Sequence, residues 1–208
     1  MKNKSDIRNM MKDAGILFAI TLIAGIVLGF VYELTKEPIR IQEEKAVQEA
    51  CRAVFAEAAA FEETELAPSE QLAQELAQDG VKIGTVYDAK DADGALMGYV
   101  LQSTSSEGYG GNITLYVGVT LEGRMNGISI LDISETPGLG MQAEDVLVPQ
   151  FQNKKASAFT YTKSGSKADS EIDAISGATI TTRAVTNAVN GGLRTVNEIM
   201  TEGGGINE

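Results

Sequence analysis

The chain has 208 residues, 43% of them hydrophobic and 22% charged, the composition of an ordinary folded protein with room for one globular domain and an appendage. Its 29 acidic against 17 basic residues leave a formal net charge of −12, which repels a phosphate backbone and speaks against nucleic-acid binding. Without histidine it can build no Ser-His-Asp triad and no His-ligated zinc or haem site, and its single Cys51 allows neither an intrachain disulfide nor a Cys-ligated cluster.

From Ala14 to Tyr32 the chain carries no charge, over about the 20 residues a helix needs to cross a hydrocarbon core. A cleaved signal peptide has a shorter apolar region, roughly 7 to 15 residues, ending at a small-residue site. Here the apolar run continues through Leu28, Phe30, Val31 and Tyr32, so an uncleaved anchor over 14–34 is expected. Lys2, Lys4, Arg8 and Lys12 precede it, which predicts a cytoplasmic N-terminus over 1–13 and a domain outside the cytoplasm.

Past Pro38, a good first-turn residue, Ile39, Val47, Ala50, Cys51, Val54, Phe55 and Ala58 recur at helical spacing, and an amphipathic linker helix is expected within 35–62. A main domain over 63–202 follows. It opens with a helix over Pro68 to Gln78 that stops at Asp79-Gly80. The period then changes to two. Val81 to Ala89 and Ala95 to Ser103 flank one turn, Ile113 to Leu121 and Met125 to Ile133 another, which predicts an antiparallel sheet of four or more strands. Met141 to Phe151 reads as a short helix, and 157–175 as an irregular segment with one strand near Phe159 to Thr162. Val185, Ala188, Val189, Gly192, Leu193, Val196, Ile199 and Met200 mark one face of a final helix, with a flexible tail over 203–208. Helices at both ends with strands between them define an α+β fold: one transmembrane helix, then an antiparallel-sheet domain with flanking helices.

Three clusters carry the chemistry. Asp173-Ala174-Ile175-Ser176-Gly177-Ala178-Thr179-Ile180-Thr181-Thr182 leads into the last helix, with small residues for close backbone approach and four hydroxyls beside helix-start N–H groups that favour an anion. These hydroxyls read either as a phosphate seat or as ordinary helix caps. Glu135-Thr136-Pro137-Gly138-Leu139-Gly140 joins a strand to a helix through a fixed, open turn. Gly108-Tyr109-Gly110-Gly111 sets an aromatic ring beside bare backbone. Together they predict a pocket for a planar, phosphorylated ligand. Redox work by this chain would require an organic cofactor or a centre built with partners.

Ser176-Gly177-Ala178-Thr179, preceded by Asp173, resembles the flavinylation motif of the FMN-binding domains in the Rnf complex G subunit and in the C subunit of the sodium-pumping NADH:quinone reductase. Glu135 to Gly140 and Gly108 to Ile113 resemble that family's other signatures, and the compact length is closer to the Rnf protein. The resemblance implies FMN esterified through its phosphate to Thr179, in a seat shaped by Ser176, Gly177 and Ala178, with Asp173 assisting attachment. It implies that Glu135, Thr136, Pro137, Gly138, Leu139 and Gly140 line the flavin, with Tyr109 and Gly110 near it. It implies a separate flavin transferase using FAD and magnesium, membrane lipid around the anchor, and partner subunits that pass electrons from reduced ferredoxin to NAD while Na+ or H+ moves. The chain itself is expected to hold no catalytic residue and no metal. Alternatives are the sister quinone-reductase component, a membrane-anchored flavin domain of a separate envelope redox system, and a non-redox adhesion or scaffolding domain.

Overall fold

A computed structural model describes residues 4–203, with side chains over 8–201; most of the expected tail lies outside the described residues. The chain divides into two compact units, 1–45 and 46–208.

The first unit is helical. Helix α1 (Lys4–Val54) runs without a break through the expected anchor and into the expected linker, so Pro38 lies inside a helix instead of opening one. Proline removes one helix hydrogen bond and crowds the carbonyl four residues back. The Arg40 guanidinium straddles that weak point, bonding Glu37 on one side and Glu44 on the other. Within the unit the apolar side chains are turned outward, Phe18 at 67% and Leu28 at 69% exposure, and the most apolar stretch has a mean hydropathy of 2.6. Water would penalise every one of them, at about 25 cal/mol per Å² of apolar surface, whereas hydrocarbon would not. This is one helix long and apolar enough to cross a membrane.

The second unit is built on a five-stranded antiparallel sheet in sequential order: β1 (Ala60–Thr64), β2 (Val81–Lys90), β3 (Leu96–Ser105), β4 (Ile113–Thr120) and β5 (Met125–Ile133). Helix α2 (Glu70–Gln78) separates the first two strands. Its cap Ser69 accepts from the Leu72 N–H at 3.2 Å while the Ser69 hydroxyl donates to Glu198 at 2.6 Å. Beyond the sheet come two 3-10 turns (Gly140–Gln142 and Val148–Phe151) around the one-turn α3 (Ala143–Val146), where the sequence predicts a single short helix. The irregular segment holds β6 (Thr160–Thr162) paired in parallel with β7 (Glu171–Asp173), and α4 (Thr179–Gly203) closes the chain.

Both faces of the sheet are covered. Ile113, Leu115, Val117 and Val119 of β4 alternate onto the face that packs against Val185, Val189, Leu193 and Val196 of α4. Gly192 lets that helix come close, since a Cβ there would lie 3.0 Å from Val117. The other face, with Ala89, Val100 and Tyr116, packs against Ala50, Cys51, Val54, Phe55 and Ala58. The buried Ser103 hydroxyl reaches across to the Ala188 carbonyl at 2.8 Å, satisfying a polar group the core would otherwise penalise.

α1 stops at Val54, short of the Ala58 reached by the helical spacing and of the linker boundary at 62, and residues 60–64 form an edge strand. The cause is tertiary. The Asn126 amide on β5 donates to the Val54 carbonyl at 2.6 Å, satisfying one of the orphan acceptors at the helix end. The free edge of β2 then draws Ala60 to Thr64 into register opposite Lys90 to Val86.

Candidate functional site

The turn between β7 and α4 is fixed from both sides. Gln150 pairs with the Asp173 backbone, accepting from its N–H at 2.6 Å and donating to its carbonyl at 3.1 Å. The Ala174 N–H extends the β6–β7 ladder to the Thr162 carbonyl at 2.8 Å. The Ile175 N–H donates to the Thr182 hydroxyl at 3.1 Å, and Ala178 donates back to the Ile175 carbonyl at 3.1 Å. Gly177 adopts φ +79°, a left-handed conformation that a side chain would resist. The chain therefore enters α4 with Thr179 as its first residue, half-buried, where the opening N–H groups of the helix have no partner within it.

The second cluster folds over the first. Leu139 and Met141 N–H groups both donate to the Thr136 carbonyl, at 3.1 and 3.3 Å, closing a tight turn through Gly138 at φ +76°. The Leu139 side chain lies over Gly177, 3.1 Å from where a Cβ would be. Glu135 joins the third cluster to the second. The residue is 7% exposed, and one carboxylate oxygen, Oε1, accepts from the N–H groups of Tyr109 at 2.7 Å and Gly110 at 3.3 Å. Gly110 allows this approach because a Cβ would collide with the Ser134 carbonyl.

The three clusters enclose a cavity of about 720 Å³, within the range of roughly 300 to 1,000 Å³ usual for small-molecule sites. Tyr109, Glu135, Thr136, Leu139, Gly140, Ser176, Gly177, Ala178 and Thr179 line it, as their grouping in the sequence predicts. Gly110, Pro137, Gly138 and Asp173 do not face it but shape the turns that do. The Asp173 carboxylate accepts from the Ser166 N–H at 2.6 Å and from its hydroxyl at 3.3 Å, fixing the loop after Lys163. Lys163, Ala174, Ile175, Ile180 and Thr181 also line the cavity. Of these, Ala174, Ile175, Ile180 and Thr181 belong to the segment leading into α4 that the sequence singles out, and Lys163 does not. Lys163 reaches the site because β6 pairs with β7, and no local pattern encodes that pairing.

The cavity wall carries charge of both signs. Lys163 and the start of α4 contribute positive potential to the wall, and the Glu135 carboxylate a negative charge. Tyr109, Leu139 and Ile180, at 71%, 41% and 44% exposure, add apolar surface at the rim. A ligand with one anionic end, a neutral polar middle and a planar ring suits these residues.

A family model described as FMN-binding domain matches residues 108–194, which contain all three clusters, and FMN is the cofactor of this class of domain. A second, described as RnfG N-terminal region, matches residues 1–54, the whole of α1 and the residues before it. The chain is 32% identical over 178 residues to the G subunit of the Na(+)-translocating ferredoxin:NAD(+) oxidoreductase complex of Acetobacterium woodii, covering 84% of this chain and 86% of that one. It is 35% identical over 191 residues to the G subunit of the proton-translocating ferredoxin:NAD(+) oxidoreductase complex of Clostridium ljungdahlii, covering 86% and 90%. The solved structure of NqrC from Shewanella oneidensis aligns with a TM-score of 0.47 at 22% identity, over 71% of this chain and 73% of that one. The chain belongs to the family of Rnf complex G subunits, membrane components of a multi-subunit oxidoreductase and translocase.

Proposed function

We propose that this chain holds FMN as a phosphoester of Thr179 and relays electrons inside an Rnf-type complex that couples electron transfer from reduced ferredoxin to NAD with the movement of Na+ or H+. Bound there, the flavin would supply one- and two-electron chemistry that no side chain of this protein can provide. The observation that carries the reading is the separation of three neighbouring threonines. The Thr182 hydroxyl is fully buried and engaged with Ile175 and Ala178. Thr181 is 1% exposed, whereas Thr179 is half-buried on the cavity wall at the first residue of α4. Thr179 combines access for a transferase with helix-start N–H groups to hold a phosphate. Ser176, Gly177 and Ala178 give that phosphate a close-packed seat, and Lys163 lines the same cavity as a counter-charge.

Attachment by a separate transferase is balanced if the Thr179 oxygen forms the new bond to the FMN phosphorus of FAD, the pyrophosphate bond breaks with AMP leaving, and the hydroxyl proton goes to a base of that enzyme. A covalent link is physically useful outside the cytoplasm, where no maintained pool of free FMN would hold a dissociable cofactor in place by mass action. The test is direct. The denatured wild-type band is expected to fluoresce under ultraviolet light and the intact chain to gain the mass of one FMN less water, and Thr179→Ala is expected to lose both while remaining folded. Fluorescence persisting in Thr179→Ala refutes the attachment site.

A further inference from the structure

The Thr181 hydroxyl opens on the cavity and has no hydrogen-bond partner among the described residues. Thr182, Thr186, Thr195 and Thr201, also on α4, each donate back to the carbonyl four residues earlier, at 2.7 to 3.0 Å. Among the described residues Thr181 makes no such bond, although it is 1% exposed and lines the cavity. Its oxygen is turned toward Gly140: a Cβ on that glycine would lie 2.6 Å from Thr181 Oγ1 and 2.8 Å from Glu135 Oε2. Gly140 does not have a positive φ, so the glycine is required for space and not for backbone twist. The missing side chain lets a hydroxyl and a carboxylate oxygen converge in one notch of the wall. Glu135 Oε1 is already taken by the Tyr109 and Gly110 N–H groups, while Oε2 has no donor among the described residues.

From this geometry we infer that Thr181 and Glu135 form an orienting subsite for the neutral part of the flavin, receiving a hydrogen-bond donor from the ribityl hydroxyls or the ring imide. An ionised carboxylate only accepts, so it repels a phosphate and selects a group that can donate. Beside it the Thr181 hydroxyl can accept from, or donate to, the same ligand group. With the phosphate drawn toward the start of α4, this notch would set which way round the cofactor lies before Thr179 reacts. Thr181 and Glu135 are positioning residues in this scheme, and the inference rests on the flavin reading proposed above.

The test uses the full chain in detergent, produced without a flavin transferase so that it carries no covalent flavin, with FMN, riboflavin and lumiflavin as probes in a fluorescence-quenching titration. Thr181→Val keeps the shape and removes the hydroxyl. It is expected to weaken FMN and riboflavin by the same factor, about three- to tenfold, the range one neutral hydrogen bond is worth. Thr181→Ser is expected to restore both. Lumiflavin, which lacks the ribityl chain, separates the two donors: unchanged lumiflavin affinity assigns the contact to a ribityl hydroxyl, and an equal loss assigns it to the ring imide. Weakening of FMN alone would place the subsite on the phosphate and overturn the inference, as would unchanged affinity for FMN and riboflavin in a folded Thr181→Val chain. Failure of the unsubstituted chain to bind any of the three probes would instead bring down the flavin reading, and the subsite with it.

Discussion

Two nearby threonines on the first turn of α4, Thr179 and Thr182, are distinguished by burial and bonding partners. Thr182 is a structural residue. Its oxygen accepts from the Ile175 N–H and donates to the Ala178 carbonyl, closing the turn that presents Thr179. Thr182→Ala would leave the buried Ile175 N–H without its acceptor, and such a loss costs about 1 to 3 kcal/mol. The expected outcome is a lower thermal unfolding midpoint with flavin labelling retained at low temperature, read by a thermal melt and an in-gel fluorescence assay on one preparation. The opposite pattern, unchanged stability with lost labelling, would move the attachment role from Thr179 to Thr182. Glu135 shows the same division within a single side chain, with one oxygen spent on the Tyr109 loop and the other left at the cavity.

At the scale of elements, the sheet is sealed on its second face by the last turns of α1, and Cys51 sits inside that contact at 0% exposure. Burial pushes its thiol from the ordinary 9.0 up to about 12, and it also raises the Tyr116 hydroxyl well above the usual phenol range. A group whose folded value is raised stays protonated in the native state while the unfolded chain ionises. The stabilisation is thus fully present below pH 9.0 and is lost progressively as pH climbs toward 12. Native protein at about pH 7.5, below the ordinary thiol range, is expected to resist maleimide labelling that goes to completion in denaturant. Cys51→Ala is expected to flatten the first part of the stability loss above pH 9.0, measured by denaturant midpoints across pH. Rapid native labelling would show that α1 separates readily from the sheet.

For the whole molecule, the topology and the electron path can each be tested. Residues from about 36 onward are expected outside the cytoplasm, because the basic residues cluster before the apolar run. Protease added to right-side-out vesicles should cut within residues 164–170 and spare the N-terminal segment; cleavage only after the membrane is opened would reverse the orientation. In membranes holding the assembled complex, Thr179→Ala should stop electron flow from ferredoxin to NAD together with the coupled ion movement. The physical basis is that a chain with no histidine and one buried cysteine has no second redox group to bypass the flavin. Near-normal electron transfer in an assembled complex lacking this FMN would take the flavin off the main path.

Much of this was determined by the sequence alone. The apolar run, the period-two strands β2 to β5, the buried face of α4 and the three clusters are local patterns, because each is written in side-chain type and spacing within a few residues. The tertiary structure decided the rest. Ala60 to Thr64 has no strand alternation and becomes β1 only because β2 offers an edge. α1 ends at Val54 because Asn126, 72 residues away, supplies its cap. Lys163 joins the cavity through a parallel pairing, Asp173 turns from it to anchor a loop, and Thr181 meets Glu135 across Gly140, all contacts between distant segments. A sequence pattern records what a residue does for its own element, whereas a cavity wall is made of groups that different elements leave unpaired, and these become visible only when the elements meet.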